Sequence, residues 1–377
     1  MKKTILLAGK ILTAFLGIFL CACESHDEPS TPPAATDGDD YCLMYYCSGG
    51  DKAHDLSFMS AVRSAAEAST DKVTVTCLFK GSGQGESEAH NGIRRYKAEN
   101  GSLTVDGTFS ASENFEITDC RNLTEFIKWS ASTYPGRKYI LVMVGHGLTF
   151  TPQFDCPQTV SRATVADGDK NMASYKVAEG IRNSGVHLSA MIAHFCQQGS
   201  IEMLAEWEGL TDYLLGSPFS IPDVAQDYAS LVNDLSNSVS LEESLKRTAR
   251  RTINLWQEYH DYGYFGGVIE VSRLSDLSGL WAALNDTFKY MKASVDGVSD
   301  NTDAPAVFGE KYGAAYLRAL LDLTERKDPV FEYVRPDASV DLMDYLRNAF
   351  IYTGYIKLAS YVNRVQEEID KTLVYHR

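Results

Sequence analysis

The chain has 377 residues, 44% hydrophobic and 23% charged, ordinary proportions for a globular protein that buries one large core or two smaller ones. Its 35 Lys and Arg against 50 Asp and Glu give a formal net charge of −15. A surface of that sign disfavours nucleic acid and anionic headgroups, and no Lys/Arg run offsets it.

Lys2 and Lys3 precede an apolar stretch of ten residues, Ile11 to Leu20, too short to span a bilayer as a helix. This is the pattern of a secretion signal. Leu20-Cys21-Ala22-Cys23 resembles a bacterial lipobox, in which cleavage leaves the last residue as a diacylated N-terminus. Residues 1–22 are therefore expected to be a lipoprotein signal peptide and Cys23 the lipidation site; the plain alternative is cleavage without lipid. Removal takes away three lysines and no acid, moving the net charge to −18. The linker over residues 23–40 contains Pro29, Pro32, Pro33 and six Asp or Glu and offers nothing to a core, so it reads as a flexible tether. The expected location is the cell envelope, lipid-anchored to a bacterial membrane and facing periplasm or exterior.

From Tyr41 onward strands and helices alternate. Tyr41 to Cys47 is a strand; Asp55 to Ser69 has helical spacing at Phe58, Met59, Val62, Ala65 and Ala66; Val73, Val75, Cys77 and Phe79 alternate with Thr74, Thr76 and Leu78 in a second strand. Lys80 to Ser112 is polar and glycine-rich, with a hairpin around Asn100-Gly101. Asn122 opens a helix carrying Leu123, Phe126 and Ile127 on one face. An apolar strand from Tyr139 runs into Gly145-His146-Gly147, and a loop from Leu148 to Lys170 and a helix through Met172, Tyr175, Ala178 and Ile181 lead to a second, Ser189 to Ala193, ending at His194-Phe195-Cys196. A helix over Gly199 to Trp207, a strand over Asp212 to Ser217, a capping box at Ser240 and Glu243 before a helix to Trp256, and a strand over Tyr264 to Val271 follow. Leu277–Met291, Tyr312–Leu323, Val340–Phe350 and Tyr355–Leu373 read as helices. The β-α-β-α rhythm predicts an α/β fold with a mainly parallel central sheet and helices on both faces.

The chemistry points to the two strand endings. Each is an apolar run suited to a strand buried on both faces that stops at a reactive side chain, His146 or Cys196. Open α/β sheets bind ligands at the carboxyl ends of strands, and a thiolate beside an imidazole is the minimum equipment for attack on a carbonyl. A helix starting just past Cys196 would turn its positive end toward the sulfur. The competing reading of each residue is a satisfied core side chain. Five further cysteines of the mature chain, Cys42, Cys47, Cys77, Cys120 and Cys156, cannot all pair, and the first three lie in strand-like runs, so buried free thiols are expected.

Gly145-His146-Gly147 and Cys196-Gln197-Gln198-Gly199-Ser200-Ile201-Glu202, each after an apolar strand, resemble the clostripain family of caspase-like cysteine peptidases. Leu123 to Trp129 with Tyr134-Pro135, Tyr213 to Pro218, and Val268 to Leu274 agree with it in the same order. The resemblance implies a caspase-like α/β/α sandwich over 41–275, followed by a mostly helical C-terminal region over 276–377 packed on it. It also implies a cysteine-type endopeptidase acting on peptide or protein substrates as a monomer. It makes Cys196 the nucleophile, His146 its partner, the N–H groups of Gly147 and Cys196 an oxyanion hole, and Ser217 and its neighbours the edge that pairs with substrate backbone.

One departure bears on specificity. Where the family has Asp two residues before the cysteine, this chain has His194, and an imidazole does not hold the guanidinium or ammonium of a basic side chain. The expected specificity is thus shifted from Arg and Lys toward a polar, acidic or small residue. His194 reads equally as a side chain packed on Phe195. A catalytically silent lipoprotein that binds peptides or glycans is the alternative function. No cofactor is called for; Asp155, Asp167 and Asp169 are the only acids between the dyad strands that raise calcium, and they lack a ligand-loop pattern. The same loop contains Arg162 and Lys170; the resemblance implies maturation by self-cleavage between the His and Cys strands, but without the family Asp self-cutting at a basic residue here is not expected.

Overall fold

The computed structural model describes residues 40–49, 52–83, 92–147, 165–167, 170–219, 221–222, 226–258, 267–296, 313–320 and 341–376. The strands are β1 (Tyr41–Ser48), β2 (Val73–Lys80), β3 (Ile93–Glu99), β4 (Ser102–Val105), β5 (Lys138–Val144), β6 (Val165–Asp167), β7 (Lys170–Met172), β8 (Ala190–His194), β9 (Tyr213–Gly216), β10 (Glu270–Arg273) and β11 (Leu373–His376). Labelled helices are α1 (Lys52–Glu67), α2 (Cys120–Thr133), α3 (Ser174–Ser184), α4 (Ile201–Trp207), α5 (Tyr228–Ser236), α6 (Leu241–Glu258), α7 (Ser278–Asp296), α8 (Leu342–Thr353) and α9 (Ile356–Thr372).

Nine strands form one sheet in the order β11-β10-β9-β8-β5-β1-β2-β3-β4. The central five, β9 to β2, run parallel, and the two at each edge are antiparallel. All eight residues of β1 are buried, which explains why its sequence is apolar without alternation. Tyr41, Leu43, Tyr45 and Cys47 share one core with Phe58 of α1, Tyr228 of α5 and Trp256 of α6. The opposite face meets α2, where the Tyr46 and Phe126 rings lie 5.8 Å apart. This is the caspase-like α/β/α sandwich, with a mainly parallel sheet. Buried threonines of β2 are satisfied locally: Thr76 donates to the Ser130 hydroxyl of α2 at 2.9 Å.

Several local choices follow from turn and cap chemistry. The β3–β4 hairpin turns on Asn100 and Gly101, with φ of 49° and 78°, the left-handed pair that a two-residue hairpin needs. Helix α2 starts at Cys120, two residues before the expected Asn122, because Asp119 accepts the Arg121 N–H as N-cap. Asn122 instead donates to the Glu116 carbonyl. Ser240 accepts the Glu243 N–H at the start of α6 as the capping box requires. Cys42, Cys47 and Cys77 are buried free thiols, and Cys156 lies outside the described residues.

Contacts divide the chain into two compact units, one spanning Asp276–Thr372 and the other holding the sheet. The first is helical: α7, residues 313–320, α8 and α9, with Arg364 of α9 bonded to Asp286 of α7 at 2.8 Å. The expected final helix stops at Thr372. Leu373–His376 then pair antiparallel with β10 and belong to the sheet unit. Among the described residues no helix is long and apolar enough to cross a membrane.

Candidate active site

Parallel pairing brings the two reactive strand endings together. Register runs from Ile140↔Ala190 to Val144↔His194, and the Gly145 N–H continues it to the His194 carbonyl at 3.4 Å. Two residues on from Val144 and His194 stand His146 and Cys196, at the same carboxyl edge of adjacent strands. The main chain beyond His146 is pressed onto the strand that bears the cysteine: a Cβ on Gly147 would lie 2.0 Å from Cδ2 of Phe195. Glycine is required there by close approach, and Phe195 is buried as the residue just before the thiol.

His146 is exposed, and α1 supplies its wall. His54 and Phe58 lie four residues apart on one helical face. The His54 ring stands edge-on to His146 with centroids 4.3 Å apart, and Phe58 stands 6.4 Å away. The helix itself is moored at this edge, because Asp55 is buried and accepts the N–H of Ser82 at 3.0 Å, just beyond β2. Gly49 fits the remaining gap, since a Cβ there would overlap the Asp55 carboxylate at 1.6 Å. Nothing in the sequence marked His54; its only signal is the four-residue spacing from a buried aromatic.

The cysteine sits on a constrained turn. Gln197 adopts φ of 61°, a left-handed conformation that costs a residue with a side chain about 1–2 kcal/mol. Three amides hold it: Gln197 N–H to the Phe219 carbonyl at 2.9 Å, and Gln198 and Gly199 N–H to the Ser217 carbonyl at 2.6 and 3.0 Å. The buried Gln198 side chain donates back to the Cys196 carbonyl at 3.1 Å, which accounts for a polar residue after the thiol. Helix α4 begins only at Ile201, N-capped by Ser200, so the amides that follow the cysteine are spent on the Phe219 and Ser217 carbonyls. The sulfur accepts the Ile221 N–H at 3.4 Å and lies 4.0 Å from the Ile221 carbonyl.

His194 is buried, with 1% of its surface exposed. Its Nδ1 lies 3.1 Å from the Tyr228 hydroxyl, and its ring stands 5.8 Å from Phe58. Burial raises the Tyr228 phenol well above its usual range, so this partner stays neutral. Ser217 is buried just past β9; its hydroxyl accepts the Phe219 N–H at 3.1 Å and its carbonyl serves the nucleophile turn. Because β9 lies between β8 and β10, only the segment after Gly216 is open to an added strand. Asp167 pairs with Lys80, and Lys170 on β7 pairs with Glu116. Asp155, Arg162, Asp169 and Cys23 lie outside the described residues. Among the described residues no three His, Cys, Asp or Glu are placed to hold a metal.

Comparison with known proteins bears on the fold and the family. The clostripain family model matches residues 40–375. An inactive zymogen C11 protease from Parabacteroides distasonis superposes with a TM-score of 0.55 at 18% identity, covering 92% of this chain and 85% of that one. A secreted C11 cysteine protease from Bacteroides thetaiotaomicron, in complex with an irreversible peptide inhibitor, gives 0.58 at 15% identity, covering 90% and 84%. At such identities the likeness is one of fold. No curated protein sequence matches. The family match spans almost all of the described chain on a shared fold, and the protein therefore belongs to the clostripain family, as a cysteine-type endopeptidase.

Proposed function

We propose that the protein hydrolyses peptide bonds with Cys196 as nucleophile and His146 as the partner imidazole. The observation that carries this reading is the β5–β8 register, which sets the two residues at equivalent positions beyond neighbouring strands. The Cys196 thiolate attacks the scissile carbonyl carbon, and His146 protonates the departing amine as the thioester forms. Water then attacks the thioester, releasing the carboxylic acid and returning the thiol. The N–H groups of Gly147 and Cys196 face the developing oxyanion, and an extended peptide pairs beside residues 217–219.

Primary specificity is shifted from Arg and Lys. The position before Phe195-Cys196 holds a buried imidazole beside Phe58 and Tyr228 where the family has the carboxylate that would hold a guanidinium. A position-scanning library of fluorogenic peptides tests this: polar, acidic or small residues should be cut best, and a clear preference for Arg or Lys would reject it. The enzyme acts at the cell envelope, tethered by lipid on Cys23; radiolabelled palmitate should enter the wild-type chain and not Cys23→Ala. If wild type cleaves no peptide and is matched in this by Cys196→Ala, the protein is instead a peptide- or glycan-binding relative without catalysis.

A further inference from the structure

A carboxyl group lies beneath the nucleophile turn. Glu270 opens β10, opposite Gly216 of β9. It is buried, and its Oε1 has no hydrogen-bond partner among the described residues. That oxygen is directed at Gly199: a Cβ on Gly199 would lie 2.4 Å from Oε1 and 2.8 Å from Cδ of Glu270. The carboxyl thus rests against the main chain three residues beyond Cys196. The same turn is held from its other side by the Ser217 carbonyl, one residue past the ladder partner of Glu270.

We propose that Glu270 is a positioning residue for the nucleophile: its carboxyl, wedged against Gly199, holds the turn that presents Cys196, and does so only while it keeps its proton. This rests on the reading of Cys196 as the nucleophile. The neighbours from β9, the turn and the following segment are Gly216, Gly199 and Pro218, none of them titratable. Across the ladder on β11 stands His376, which is exposed. A carboxylate sealed here without a cation or donor for Oε1 is costly, whereas the neutral acid is tolerated. Burial alone pushes the carboxyl up to about 8. Deprotonation therefore requires water to enter or the turn to move away from Glu270, and either displaces Cys196.

The test compares kcat/KM against pH for wild type and Glu270→Gln, which keeps size and neutrality at every pH. Each protein's own kcat/KM near neutral pH is the reference for its alkaline limb. Wild-type kcat/KM should then fall as pH rises through about 8, while Glu270→Gln holds its value about one pH unit further. Coincident alkaline limbs would overturn the proposal. Should Glu270→Gln fail to fold, infrared spectra of Cys196→Ala protein carrying 13C-carboxyl glutamate decide instead. One glutamate should keep a protonated-acid carbonyl band at neutral pH and lose it through about 8, and the absence of that band at neutral pH would overturn the proposal. Peptidase activity persisting in Cys196→Ala would remove the nucleophile assignment itself, an outcome separable from either result.

Discussion

Gly147→Ala probes the contact that fixes the His146 main chain against the cysteine strand. The new methyl carbon would stand 2.0 Å from Cδ2, 2.8 Å from Cγ and 2.9 Å from Cε2 of Phe195. Unstrained carbon contacts begin at about 3.5 Å, so the two must separate by about 1.5 Å. Gly147 does not have a positive φ, so the effect is steric and not conformational. Phe195 is 2% exposed and seated in the core, which forces much of the movement onto residues 146–147. A misplacement of about 1 Å at a reacting group costs about 10²-fold in rate, and overpacking costs about 1–3 kcal/mol in stability. The assay is kcat/KM on a peptide cleaved by wild type, with thermal unfolding measured alongside. Gly147→Ala should lose about 10²-fold in kcat/KM, and adding Phe195→Leu should recover at least about tenfold by removing the obstructing ring. Wild-type kcat/KM in Gly147→Ala, or no recovery in the double variant, would refute the reasoning.

Two further predictions concern His54 and the outer sheet. His54→Ala exposes one edge of the His146 ring and should lower kcat by about tenfold with little change in KM, whereas His54→Phe keeps an aromatic wall and should restore most of it; equal kcat in wild type and His54→Ala would contradict the wall's role. Burial would raise the Glu242 carboxyl, but bonds from Arg273, Lys246 and Tyr213 bring it down to about 2. A depressed acid stabilises the fold above its unfolded pKa and loses that contribution as pH falls toward the folded value. Glu242→Gln should therefore unfold more easily at neutral pH, by about 1 kcal/mol for a pair partly screened by water, and the gap should close between about pH 4.5 and 2; a gap that does not depend on pH would reject the assignment.

The sheet was readable where burial dominates. β1, β5 and β8 are covered on both faces, so their apolar runs announced strands, and the parallel β5–β8 pairing brings to one edge the two side chains that the sequence singled out just past them. Legibility failed where structure depends on distant partners. β11 is only four residues long and exists because β10 offers an edge, so no strand was marked after the helix expected to end at Leu373. The start of α4 was displaced because Gln198 and Gly199 found the Ser217 carbonyl, a bond to another strand that no local pattern encodes. The Ile221 N–H on sulfur is main chain and leaves no mark in the side-chain sequence. Glu270 did carry a signal, an acid within the apolar run Val268 to Val271, but its meaning depends on Gly199, 71 positions earlier.

Site-resolved alkylation tests the dyad most directly. Iodoacetamide labelling of wild type, read by peptide mapping beside residual peptidase activity, compares Cys196 with Cys120, whose thiol burial pushes up. Modification of Cys196 well ahead of Cys120, with activity lost in step and labelling slowed in His146→Ala, is the predicted result. Labelling of Cys196 no faster than Cys120, or activity that survives its full modification, would contradict the account.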